Sequence, residues 1–479
     1  MKAKVLFALL LCAVFMGSGV ARQTVFNVSG RVVDTAGRGV AGVVVNNGTR
    51  FTTTDGDGRW SLMTDTLTSK YISITTPADF CLPSTDGLAS GFYVSVGEAL
   101  AAGGHDFVLE RRKERVENFY YIAISDPQVR DESDMRRWLG ETMPDIRHTV
   151  DSLKRRREVV GIALGDIVFD NMLLFDDYRQ SVRNTGMTLY HCIGNHDFDK
   201  RWQELHNMRL GTPVYAEMEY NKRFGPTDYS FNMGKAHVVT MKNINYVGNG
   251  QYIESMTDRQ MEWLEKDLSY VPKGSLVILN MHAAGWNTVA GSGNMRNASR
   301  LAEVLKGYRV HVFCGHTHFF QNVEVAQELY QHNIGAACGA WWTGHINRCG
   351  APNGYMIVDV NGDELAWHYK PTGFPVSRQF DVYGQGQFST QKDYVVANVW
   401  DYDRKWRVEW FQDGRPMGAM ERFTDVDGNY ASRFAERQAD SETPHLFRCR
   451  PEGKYKEIKV VVTNRFGERY SAVVSSLAQ

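Results

Sequence analysis

Five apolar runs in the middle of the chain each end in residues of the types that hold metal ions. YYIAIS leads into Asp126-Pro127-Gln128, VVGIAL into Gly165-Asp166, and TLYHCI into Gly194-Asn195-His196-Asp197. LVILNM leads into His282, and VHVFC into Gly315-His316-Thr317-His318. Carboxylate, amide and imidazole donors suit Mn, Fe or Zn, and the absence of thiolates from the set disfavours softer ions. Taken singly, each motif has a bland reading: a GD pair makes a turn, an Asp-Pro pair starts a loop, and a lone histidine packs or faces water. His316 and His318 alternate on a short loop, so both rings can reach one site. The ordered set of five, each at a strand end, is what points to a metal centre.

Such motifs need a scaffold that gathers strand ends. From about Asn118 to Lys370 strands alternate with helical segments, the texture of a layered α/β domain. Ligands bind such sheets outside the carboxyl ends of the strands, which would bring all five motifs to one rim. Trp138, Leu139, Ile146, Val150 and Leu153 recur near the 3.6 period and predict an amphipathic helix over 134–155. Thr257 and Gln260 form a Thr-x-x-Gln capping box opening a second helix through Met261 and Leu264. Residues 24–110 are short β-rich runs (VFNVSGRVVD, GVAGVVVNNG, TRFTTTDGDGRWSL, KYISITT, HDFVLE) that predict a small antiparallel sandwich. Asp55, Asp57 and Gly58 lack the remaining ligands of a calcium loop and read as a hairpin turn. After about Pro371 the runs DYVVANVWDYD, WRVEWFQDG and EIKVVVTNRFG predict a second all-β domain. The expected division is a signal peptide over 1–21, a β-sandwich over 22–112, the α/β domain over 113–370 and a β-rich domain over 371–479.

GRVVDTAGRGVAGVVVNNG followed by TTTDGDGRWSL resembles the carboxypeptidase-regulatory-like, or transthyretin-like, β-sandwich family, which implies a structural or targeting module. The middle domain resembles the calcineurin-like metallophosphoesterase superfamily, whose motifs run D-x-H, GD, GNH-D/E, H and GH-x-H in this order. Four of the five match; Gln128 stands where the family usually has His. The resemblance implies a layered β-sandwich flanked by helices and two divalent metal ions. The first would be held by Asp126, Gln128, Asp166 and His318, the second by Asp166, Asn195, His282 and His316, with Asp166 bridging. Mn, Mg, Fe and Zn are the candidates, and the amide oxygen of Gln128 shifts the expectation at the first site toward Mn or Mg. It also implies hydrolysis of a phosphoester by in-line attack of a metal-bridging hydroxide, for which two ions about 3.5 to 4 Å apart are suited. His196 would protonate the leaving group, and Asp197 would orient His196 or cap a helix.

Around this set, Asp170 and Asn171 in GDIVFDN are expected to contact the ligands or the substrate. Trp341, Trp342 and His345 in GAWWTGHINRCGAPNG are weaker substrate candidates, able to wall a pocket for a sugar or base ring, although one Trp in the core is an equal reading. Lys222 and Arg223 are candidate phosphate contacts that read more simply as solvated charges. His191 and His237 lie in apolar runs and read as packed. Cys192 and Cys314 read as small core residues, while Cys338 and Cys349 are a candidate disulfide only in an oxidising compartment.

The chain has 479 residues, 43% of them hydrophobic and 23% charged, enough to bury sizeable cores. It opens MKAKVLFALLLCAVFMGSGVARQ, the grammar of a signal peptide cleaved after Ala21, so the expected location is periplasmic, cell-surface or secreted. Cys12 follows Leu11 and not a small residue, which disfavours a lipoprotein. No later apolar run is long enough to span a bilayer of about 30 Å. Removal of Lys2 and Lys4 takes the formal net charge from -1 to -3, which excludes a basic nucleic-acid-binding footprint. The expected partner is a small phosphorylated substrate linked to a sugar, nucleotide or lipid headgroup. A phosphodiesterase or nucleotide pyrophosphatase stands against a monoesterase. A non-catalytic cell-surface glycan- or envelope-binding protein is the alternative of a different class.

Overall fold

The computed structural model of the chain describes residues 25–203, 211–288, 293–434, 436 and 441–476. The expected signal peptide and Cys12 lie outside the described residues. Two sheets packed face to face form the centre. One has seven strands in the order Glu364–Pro371, Gly354–Asn361, Asn118–Ile124, Val159–Ala163, Thr188–His191, Leu88–Ala89 and Ser84–Thr85. The other has six, in the order Tyr229–Met233, Ala236–Thr240, Leu276–Asn280, Arg309–Cys314, Leu329–Asn333 and Gln321–Ala326. Asn118–Ile124, Val159–Ala163 and Thr188–His191 are parallel to one another. So are Ala236–Thr240, Leu276–Asn280 and Arg309–Cys314.

The strand Val159–Ala163 is buried along its whole length, as expected of a parallel strand covered on both faces. Between the sheets Tyr121 and Phe313 place their rings 5.8 Å apart, and the Tyr121 hydroxyl donates to Asn280 Oδ1 at 2.7 Å. That bond satisfies a polar pair inside an otherwise apolar seam. The capping box forms as read: Thr257 accepts from the Gln260 backbone and opens the helix Asp258–Leu268. The 134–155 segment is two α-helices, Glu132–Arg137 and Met143–Leu153, joined by a π turn over Trp138–Thr142. The wider turn rotates the apolar face, so Trp138, Ile146 and Val150 are buried while Leu139 is 49% exposed.

The N-terminal segment folds into a three-stranded and a four-stranded sheet. It is not wholly antiparallel, because Val32–Asp34 pairs in parallel with Phe107–Leu109. Its short strands Ser84–Thr85 and Leu88–Ala89 leave it to extend the seven-stranded sheet. Asp55 accepts the N–H groups of Asp57 and Arg59, which makes the DGDG stretch the hairpin turn it was read as. The C-terminal segment forms two four-stranded antiparallel sheets plus a short helix, Gly428–Arg433. The six described cysteines are all free thiols, so Cys338 and Cys349 do not pair. Among the described residues no helix is long and apolar enough to cross a membrane.

Packing also fixes how the fold responds to acid. His191, His311 and His445 are pushed down to about 3, chiefly by burial, with Arg179, Arg465 and Arg422 adding to it. Nε2 of His191 and of His445 has no hydrogen-bond partner, so a proton there would be a buried charge with no acceptor. An unfolded histidine titrates near 6.5, so the unfolded chain binds these protons first as pH falls. The stabilisation is fully present above about pH 6.5 and is lost progressively toward about pH 3, about 2 kcal/mol per histidine at pH 5. His445→Gln retains a donor for Asn398. The wild-type Tm is therefore expected to fall faster than that of His445→Gln between pH 7 and pH 4.5. Parallel profiles would contradict a buried neutral His445.

Candidate metal centre

The carboxyl ends of the parallel strands meet at one rim, and each of the five motifs sits there. Asp126 follows Asn118–Ile124, Asp166 follows Val159–Ala163 and Asn195 follows Thr188–His191. His282 follows Leu276–Asn280, and His316 and His318 follow Arg309–Cys314. Eight residues of the rim, Asp126, Gln128, Asp166, Asp170, His316, His318, Trp341 and Trp342, hold left-handed backbone with φ between 46° and 69°. Non-glycine residues rarely adopt that conformation, and its concentration here is strain stored at a site. The glycines permit close approach. A Cβ on Gly194 would stand 2.2 Å from Asp166 Oδ1, and one on Gly315 would stand 2.4 Å from Asp126 Oδ2.

Asp166 is central. Its Oδ1 accepts the His196 N–H at 2.8 Å and lies 3.3 Å from His282 Nε2, while Oδ2 accepts from Gln128 Nε2 at 2.9 Å. His282 donates from Nδ1 to the Leu164 carbonyl at 2.8 Å, which aims Nε2 at Asn195 Oδ1 (3.1 Å) and His316 Nδ1 (3.2 Å). One donor atom from each of Asp166, His282 and His316 lies within 4.8 Å of the others. On the other side, His318 donates from Nδ1 to the Gly339 carbonyl at 2.5 Å and turns Nε2 to 3.5 Å from Asp126 Oδ1. These carbonyl contacts fix the tautomer that leaves Nε2 for a cation.

The residues fit divalent ions. Asp126 is fully buried, yet its Oδ1 accepts no hydrogen bond. Burial alone would raise the carboxyls of Asp126 and Asp166, but the neighbouring imidazoles outweigh it and hold both below the usual range. Burial likewise opposes a charge on His282, but Asp166 leads the groups that raise it to about 9. Two buried carboxylates thus draw protons onto histidines, which is positive charge that a bound cation would supply instead. Gln128 Oε1 accepts weakly from the Cys338 thiol at 3.5 Å, and a half-turn of the amide exchanges its oxygen and nitrogen without other movement. The Cys338 sulfur lies 3.8 Å from His318 Nδ1, the ring nitrogen that faces the Gly339 carbonyl and not Asp126 Oδ1.

His196 stands beside this group. Its Nδ1 donates to Asp170 Oδ1 at 2.9 Å, and its ring stacks on Phe169 at 4.0 Å and 19°. Burial pulls its proton affinity down, but Asp166 and Asp170 outweigh that and raise it above the ordinary imidazole value. The partner of His196 is Asp170, not Asp197. The Asp197 carboxylate is buried and accepts the N–H groups of Ile167 (2.9 Å), Val168 (3.2 Å) and Gly194 (2.8 Å), so it clamps two loops and has no catalytic contact. Asn171 caps the turn Met172–Leu174 and donates to the Arg130 carbonyl.

A cavity of about 380 Å³ opens over the rim, with Gln128, Asp166, Asn195, His196, His316 and His318 in its floor. Trp341 is in its wall, 4.9 Å from the His318 ring. Trp342 and His345 are not. Trp342 is buried, donating from Nε1 to the Pro127 carbonyl at 3.0 Å, and His345 is exposed, beside Arg137 at 3.0 Å. Lys222 and Arg223 pair with Glu219 and Asp176 and do not line the cavity. His191 is buried, and His237 is enclosed between Asn232 and Asp267. Five wall residues went unread in the sequence: Tyr252, Glu254, Asn287, Gly293 and Arg348. Glu254 and Tyr252 come from the hairpin Ile244–Gly248/Gln251–Glu254 and lie 3.2 and 3.5 Å from His316 Nε2. The Gly-Asn-Gly turn of that hairpin was the available signal.

Residues 120–320 match the model described as calcineurin-like phosphoesterase, residues 26–112 that of its N terminal, and residues 331–470 that of its C terminal. The chain belongs to the calcineurin-like phosphoesterase family. This phosphoesterase is a metal-dependent phosphoric ester hydrolase, and its N-terminal sandwich belongs to the same family architecture. No curated protein matches it. Among solved structures it is similar to a dimetal phosphatase from Danio rerio, at 13% identity and a TM-score of 0.37, over 53% of this chain and 97% of that one. It is similar also to 5'-nucleotidase from Candida albicans, at 12% identity and a TM-score of 0.34, over 54% of this chain and 52% of that one. A third is GAP50, the anchor in the inner membrane complex of Plasmodium, at 11% identity and a TM-score of 0.36, over 53% and 84%.

Proposed function

We propose that the phosphoesterase is an exported enzyme that cleaves small phosphodiesters or pyrophosphates, with two divalent ions held by the rim. Asp126, Gln128, Asp166 and His318 would hold one, and Asp166, Asn195, His282 and His316 the other. The carrying observation is Asp166, whose two oxygens face Gln128 on one side and His282 on the other. When bound, the ions supply Lewis acidity toward the phosphoryl oxygens and an activated water. The chain's own residues do the rest. His196, fixed by Asp170 and Phe169, offers Nε2 as the proton donor to the departing oxygen. Asp166 and Asp170 raise its proton affinity, which favours the acid form that this role needs. Trp341 and Tyr252 present faces for the organic substituents.

Charge in the wall supports a diester. Beyond the ligands and His196, the described residues of the wall contribute one cation, Arg348, and one carboxylate, Glu254. A diester carries a single negative charge and a doubly esterified pyrophosphate one on each phosphorus, whereas a monoester dianion would concentrate two on one phosphoryl group near Glu254 without a second cation to offset them. Purified protein assayed with bis-nitrophenyl phosphate, nitrophenyl phosphate and a nucleoside pyrophosphate is expected to show higher kcat/KM for the diester or pyrophosphate than for the monoester. The reverse order would overturn the diester reading and leave the hydrolase intact. Chelation is expected to remove activity, and Mn or Mg to restore it better than Zn, because Gln128 brings a hard oxygen ligand. Rescue by Zn alone would show that Gln128 does not set the preference. Export rests on the N-terminal segment; mass measurement of the native protein is expected to find Arg22 first, and a retained Met1 would refute it.

A further inference from the structure

A second cavity, of about 410 Å³, lies where the N-terminal sheets meet the helix Asp258–Leu268, and shares no lining residue with the metal centre. Its volume is within the range of small-molecule sites, which favour such seams between folding units. Three cations and two carboxylates line it. Lys70 and Lys242 both end on the buried Glu217, at 2.6 Å each. Asp228 accepts the Lys242 N–H and Gln260 Nε2, both at 2.9 Å. Arg259 has no carboxylate at hydrogen-bond distance among the described residues. It donates from Nη2 to the Thr68 carbonyl, and Nε and Nη1 bond to nothing described. Asp65 and Asp228 act on Arg259 only through space; the Asp65 carboxylate accepts from Leu67 and Thr68.

The uncommitted polar groups are mostly donors. The Asn245 amide makes no hydrogen bond to a described residue. Asn46 uses only its oxygen, for Trp263 Nε1 at 3.0 Å and the Gly48 N–H at 3.1 Å. A guanidinium with Nε and Nη1 uncommitted can take a carboxylate, and free amide N–H groups match hydroxyl or ring oxygens. One unpaired cation balances one negative charge, which a monocarboxylate has and a phosphate dianion exceeds. Ile244, Pro213 and Val214 supply apolar surface for ring carbons.

We propose that the seam cavity binds a small hydroxyl-rich monocarboxylate, a sugar acid of hexuronate type, with Arg259 on the carboxylate and Asn46 and Asn245 on the hydroxyls. Calorimetric titration of the metal-loaded full chain with glucuronate is expected to give a Kd of about 1 mM or tighter. Glucose, lacking the charge, should bind at least about tenfold more weakly. Arg259→Gln should lose glucuronate by a similar factor while keeping its Tm and its phosphoesterase activity. Asn245→Leu, which fills the cavity from another wall, should lose it too and serves if Arg259→Gln does not fold. Asp166→Asn should bind glucuronate normally. No binding by the wild type, equal binding of glucose, or normal binding by both seam variants would overturn the proposal. So would loss of binding in Asp166→Asn, which would put the sugar acid at the metal centre.

Discussion

Asp166→Asn is expected to lower kcat/KM by more than about 100-fold, the upper end of what is lost when only the outer partner of a metal ligand is removed. Asp166 is the one carboxylate whose two oxygens face both halves of the rim. An amide there retains an oxygen for the His196 N–H but removes the negative charge from a fully enclosed position, where its attraction for a cation is least screened. The fold should survive. The new amide nitrogen would face Gln128 Nε2, and a half-turn of the Gln128 amide turns that clash into a hydrogen bond. Metal content by mass spectrometry, Tm and kcat/KM separate the outcomes. Less bound metal, little change in Tm and a large loss of rate are expected together. Full activity at limiting metal would refute a shared ligand at this position.

The five motifs were legible because each is a local event: an apolar strand ends and a polar residue follows. The sheets then gather those ends, as parallel topology requires. Asp170 shows where adjacency misleads. Asp197 is next to His196 in sequence, but backbone N–H groups of Ile167, Val168 and Gly194 converge on it and leave it no free edge. Asp170, four residues past Asp166, reaches His196 because its left-handed backbone turns the loop back over the rim. The pair Trp341 and Trp342 shows the same limit. Consecutive left-handed residues send one ring into the cavity and the other beneath Pro127, which neither residue's type discloses. The Gly-Asn-Gly turn marks the hairpin of Glu254 and Tyr252, but their role was hidden for a different reason. Their hairpin has an ordinary alternating pattern, and only its docking against His316, some sixty positions along the chain, gives it a role. The same holds for Ser84–Thr85 and Leu88–Ala89, whose place in the seven-stranded sheet depends on a long-range pairing with Thr188–His191.

His196→Ala is expected to have an effect that depends on the substrate. A general acid matters in proportion to how much the departing oxygen needs a proton in the transition state. An alkoxide needs it and a nitrophenolate hardly does. With alkyl esters kcat/KM should fall by about 100-fold or more, within the usual range for acid catalysis, while nitrophenyl esters should lose much less. The geometry supports this role because Asp170 occupies Nδ1 and Phe169 covers one face of the ring, so Nε2 is the remaining polar edge. Asp170→Asn keeps an acceptor for Nδ1 but removes a charge that supports the proton on His196. It should therefore show a smaller version of the same leaving-group dependence. Metal content must be followed in both variants, because the His196 N–H also bonds to Asp166. Equal losses across leaving groups, with metal retained, would mean that His196 orients or neutralises the phosphoryl group and does not deliver a proton to the oxygen that departs.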